Sequence, residues 1–181
     1  MKHAHCTPLF CLALAIGYQG RCATLPDSCG DDKAAIHVTT HKDRPPQAAS
    51  DMGKARVVFI ETADKNALPV TTRVGLDGTW VGANQGNSYF ESSVSPGEHH
   101  VCADWQLAHR YLKDSPALDL FTAEAGKTYY FLVKVGWTPN VDAVQLSRYD
   151  GNMTLKLSPV NEDEGKYMVQ NSKFSTATEM R

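Results

Sequence analysis

Asp77-Gly78 stands between two runs of strand-forming residues, Val70–Leu76 and Thr79–Ala83. A two-residue connection needs positive φ at both positions, which Asp-Gly tolerates, so these residues predict a tight β-hairpin. The same alternation of short apolar runs and turn residues continues on both sides. Ala55–Glu61, Ser88–Ser95, Glu98–Asp104, Leu118–Ala123, Thr128–Gly136, Val141–Tyr149 and Met153–Ser158 all read as strands. Asn84–Asn87, Pro96-Gly97, Glu124–Lys127 and Asp150-Gly151 supply the turns between them. Thr128–Gly136 is the most β-prone, being rich in aromatic and β-branched residues.

Helical signals are few. Asn161-Glu162-Asp163-Glu164 combines a capping side chain with acids at the positive helix end, and it predicts a helix to about Gln170. Gln106–Leu112 reads as a helical turn stopped by Ser115-Pro116. Some nine short strands and one late helix predict a mainly β chain: an antiparallel β-sandwich, immunoglobulin-like or transthyretin-like, with a short C-terminal helix. No internal repeat of fixed period is present.

Before the sandwich the chain changes character. Lys2 and His3 precede the apolar run Leu9–Ile16, and Gly17, Gly20 and Ala23 follow. A cationic start, a short apolar run and small residues predict an export signal over residues 1–23. Cys22 follows small residues as in lipoprotein signals, but Arg21 stands directly before it and argues against lipidation. Residues 24–53 read as a flexible segment. Ala34–Thr40 forms one short strand, and Pro45-Pro46 blocks further regular structure. The sandwich is then expected over residues 54–172, with Lys173–Arg181 as a frayed Ser/Thr-rich tail.

Charge and cysteine usage narrow the partners. The formal net charge is −2, and loss of Lys2 and Arg21 with the signal takes it to −4. Nucleic acid is excluded, because phosphate binding needs clustered Lys and Arg. No apolar run reaches the roughly 18 residues of a membrane span. Cys6, Cys11 and Cys22 fall in the signal, leaving Cys29 and Cys102. In an oxidising compartment this pair reads as one disulfide, worth on the order of 4 kcal/mol for a loop of about 70 residues. The alternative is two free thiols, one buried and one loose.

One segment carries a resemblance. Val74-Gly75-Leu76-Asp77-Gly78, Trp80-Val81-Gly82, Asn87–Phe90, Pro96–His100 and Cys102–Gln106 are followed by Ala125–Phe131 and Asp163–Tyr167. Their order resembles a family of exported bacterial proteins, domain of unknown function 2846, over roughly residues 54–172. The resemblance implies an envelope location and a β-rich fold, and no activity, substrate or catalytic residue.

Few side chains have the makings of a site. His99, His100 and Asp104, with His109 further on, are of metal-ligand type. On a strand, however, His99 and His100 point to opposite faces, and His100 and Asp104 lie about 13 Å apart. No metal site and no cofactor is therefore expected. Trp80, Tyr89, Trp105 and Trp137, with Tyr129 and Tyr130, form either a stacking platform for sugar or peptide or core filling. Trp80, beside the hairpin turn, is the ring expected to be exposed. There is no nucleophile elbow, dinucleotide fingerprint, P-loop or C-x-x-C pair. The expectation is an exported, non-catalytic binding or scaffolding module that meets an envelope protein or glycan. Loops at 84–87, 105–116 and 137–141 are the expected contact surface. A small metal-dependent hydrolase and a purely structural module are the alternatives.

Overall fold

A computed structural model describes residues 26–43, 53–67, 69–106, 112–114, 116–139 and 151–180. The signal segment with Cys22, the connector at Pro45-Pro46, His109 and the strand expected at Val141–Tyr149 lie outside the described residues, as does most of the helical turn expected at Gln106–Leu112.

Among the described residues, eleven strands and one helix follow in order: β1 (Ala35–His41), β2 (Ala55–Ala63), β3 (Thr71–Leu76), β4 (Thr79–Gln85), β5 (Ser88–Val94) and β6 (Gly97–Trp105). Then come β7 (Leu112–Asp114), β8 (Ala117–Ala123), β9 (Thr128–Pro139), β10 (Gly151–Val160), α1 (Glu162–Gln170) and β11 (Lys173–Met180). They form a seven-stranded sheet, β1-β11-β5-β2-β9-β10-β7, and a four-stranded sheet, β4-β3-β6-β8. The small sheet is wholly antiparallel. The large one is mixed: β2 runs parallel to β9, β11 to β5, and β7 to β10.

The hairpin forms as its residues dictate. Asp77 and Gly78 both have positive φ, 49° and 84°, and Leu76 faces Thr79 across the turn. Strand β2 explains its own unbroken apolar run. Its Ala55, Val57 and Phe59 enter the core between the sheets, with Val74, Val101, Phe131 and Val133. Its Val58 and Ile60 face the other way, into a second cluster with Tyr89 that is closed by Met168 and Val169 of α1 and Phe174. A strand buried on both faces needs no polar alternation. The helix begins where expected: the Asn161 side chain accepts from the Glu164 N–H.

Two expectations need correcting. Lys173–Arg181 is no frayed tail, since Lys173–Met180 is strand β11. It pairs antiparallel with β1 along Ala35↔Met180 to His41↔Phe174, and meets β5 at Lys173↔Ser88. Its Ser/Thr-rich composition hid this, because an edge-proximal strand with exposed side chains needs few apolar residues. One of its residues is buried: the Ser175 hydroxyl lies within hydrogen-bond distance of the Asn84 Oδ1 and the Ala83 and Tyr89 carbonyls. The sandwich therefore takes in both β1 and β11, beyond residues 54–172. Likewise 84–87 is only in part an open loop: Asn84 lies in β4, fully buried and bonded to the Phe59 carbonyl, whereas Gln85 and Asn87 are exposed.

Deleting residues 173–181 is expected to abolish cooperative thermal unfolding, since β1 and β5 both lose a partner. A frayed tail would leave the melting curve unchanged.

Candidate functional site

The outer face of the small sheet carries a lid built from the N-terminal turn. Gly75 on β3 has no side chain, so Ser28 and Cys29 lie directly against its backbone. Cys29 is bonded to Cys102 of β6, their Cα atoms 5.2 Å apart. The Gly78 N–H donates to the Ser28 carbonyl, and the Trp80 indole N–H to the Asp31 carbonyl at 2.7 Å.

Arg73 holds this lid from below. It faces Asp104 across the β3–β6 pair, and its Nη2 meets Asp104 Oδ2 at 2.7 Å with both side chains about 5% exposed. Its Nη1 donates to the Asp32 and Ala34 carbonyls, and its guanidinium lies 4.5 Å from the centroid of the Trp80 ring. Asp104 is thus an ion-pair partner.

Beside the lid lies a groove of about 290 Å³. It runs between β4 and β1, the outermost strands of their sheets on this side. Ile36, Trp80 and Val81 give it apolar walls, Ala177 lies on the β11 side, and Asp31 and Glu179 are its charged residues. Of the four aromatic candidates, Trp80 borders this groove, but half-buried and engaged as a clamp on the lid. Tyr89 and Trp105 are 2% and 5% exposed and belong to the interior, so neither offers a platform. Trp137 packs against the main core and borders a smaller cleft of about 110 Å³ with Asp64, Lys134 and Lys156.

The histidines are separated as strand alternation requires. His99 Nδ1 lies 2.6 Å from Asp77 Oδ2, and its Nε2 lies 2.7 Å from the Ser95 carbonyl. Burial works against charge on this ring, but the Asp77 carboxylate and Ser95 carbonyl outweigh it and raise the His99 pKa. Two acceptors suit an imidazolium, which donates from both nitrogens. Neither nitrogen is then free for a metal. His100 is exposed, and its backbone N–H donates to Asp77 Oδ1. Among the described residues no three His, Cys, Asp or Glu side chains converge on a common point. His99, His100 and Asp104 do not come together.

Glu61 is a titratable group that the sequence places too far from the other acids to name in an acid/base pair, and its burial is not announced there. The β2 alternation that sends Val57 and Phe59 inward also sends Glu61 inward, where it is 1% exposed. Burial pushes its pKa up to about 8, opposed only in part by the neighbouring Thr72 hydroxyl and Gly86 N–H. Glu61 Oε2 lacks a hydrogen-bond partner. Arg73 also went unnoticed, although a cation inside the apolar stretch Val70–Leu76 was its visible signal.

Comparison of the chain with family models, with curated proteins and with solved structures returned no match.

Arg73→Met is expected to destabilise the fold by about 3–5 kcal/mol in urea unfolding, since it leaves a buried carboxylate without its cation. Asp104→Leu added to it should recover part of that loss. Glu61 makes stability depend on pH in a defined direction. Its folded pKa lies above the ordinary carboxylate value, so its contribution is complete below about pH 4.5 and is lost as pH rises through about 8. Glu61→Gln should therefore leave melting unchanged near pH 4 and stabilise the protein at pH 9, by on the order of several kcal/mol. Equal shifts at both pH values would contradict this.

Proposed function

We propose that this chain is an exported, non-catalytic binding module of the bacterial cell envelope, and that the groove between β1 and β4 is its contact site. The observation that carries the reading is the groove itself, an apolar-walled recess whose shape is held by a covalent bond, a buried ion pair and an indole clamp. Recesses on a rigid scaffold that combine apolar walls with a few placed polar groups are the usual form of a binding site. The Cys29–Cys102 bond fits an oxidising compartment, in keeping with the signal read at residues 1–23. Among the described residues no helix is long and apolar enough to cross a membrane, which leaves membrane-crossing β-strands unaddressed.

The hydrolase reading has no side-chain set behind it, because His99 and Asp104 are engaged in separate pairs. The partner is an envelope protein or a glycan.

Ala177 is exposed at the groove and belongs to neither core cluster, so Ala177→Trp fills the recess without removing any group of the clamp. In a pull-down from envelope extract, wild type is expected to recover a partner that Ala177→Trp does not. Equal recovery by both forms would move the contact site elsewhere. Recovery by neither would overturn the binding reading.

A further inference from the structure

We propose that the groove takes a cationic side chain, Lys or Arg, presented by an extended peptide segment of a partner protein. This rests on the reading of the groove as the contact site and names its occupant.

Charge is the first argument. Among the described residues, Asp31 and Glu179 are the charged groups lining the groove, with no Lys, Arg or His beside them. Asp27 and Asp32, on the same lid, are also exposed, and Lys33 is the lone base between Pro26 and Ile36. Arg73 lies close by but is buried and neutralised by Asp104. An anionic ligand would meet two carboxylates, whereas an ammonium or guanidinium group would meet complementary charge over apolar walls. Long basic side chains suit such a site, because the methylene stem packs on apolar surface while the charged head stays at a polar rim. Ile36 and Val81 offer that surface, and Asp31 and Glu179 that rim.

Shape is the second argument. A recess of about 290 Å³ is small for a whole ligand and matches one or two side chains. It lies between the two outermost strands, β1 and β4. An exposed strand edge recruits extended peptide through its main chain, while alternate side chains enter pockets and set specificity.

The test is calorimetric titration of the exported protein with three capped octapeptides that alternate Thr with Lys, Gln or Glu, and with spermidine. The Lys peptide is expected to bind, to weaken as salt is raised and to be lost with Ala177→Trp. Asp31→Asn combined with Glu179→Gln should weaken it about fivefold or more. Asn at 31 keeps an acceptor for the Lys33 N–H that Asp31 now caps, and melting curves confirm that each variant folds. No binding of the Lys peptide, or equal binding by the double variant, would overturn the proposal. Spermidine binding in the groove as tightly as the peptide would overturn the peptide occupant. If the Gln or Glu peptide binds best and is lost with Ala177→Trp, the cationic occupant falls and the groove stands. If a partner recovered from extract is indifferent to Ala177→Trp, the groove reading itself falls.

Discussion

The Arg73 guanidinium is the interaction on which this architecture depends. It sits where three otherwise separate parts meet: the β3–β6 pair through Asp104, the N-terminal lid through the Asp32 and Ala34 carbonyls, and β4 through the Trp80 ring. A buried cation is costly unless its partners are well placed, and removing one partner costs more than the pair contributes. Such a group stabilises little by itself but strongly penalises other arrangements.

The disulfide acts on the same lid by a different route. Cys29 and Cys102 restrict the unfolded chain, whereas Arg73 selects among folded arrangements. Gly75 makes both possible, since a side chain there would meet Ser28 and Cys29. The lid lies outside the core clusters, yet a covalent bond and a buried cation fasten it to the sheet.

Particular residues show how much could be read in advance. Asp77-Gly78 declared its hairpin because positive φ is a local property of two residues. Asn161 declared the helix start for a similar reason, since the cap bond spans three positions. Cys29 and Cys102 were paired through scarcity and compartment. Lys173–Met180 was misread because a strand with most side chains in solvent carries no apolar pattern, and its partner β1 lies far away in sequence. Trp80 is one of four aromatic binding candidates in the sequence and borders the groove, but its role as a clamp depends on Arg73 and Asp31. Tyr89 and Trp105 could not be told from surface aromatics, because a core and a platform use the same residue types.

The sequence by itself determined what short-range chemistry controls: the β-rich class, the tight turns and the capped helix. Tertiary structure decided what depends on residues distant along the chain. It placed β11 beside β1, turned Glu61 into the interior, separated His99 from Asp104, and joined Asp31 to Glu179 across a groove. The physical reason is that turns and caps are satisfied within a few residues. A recess, by contrast, exists only after two sheets have packed and their edges have come to rest side by side.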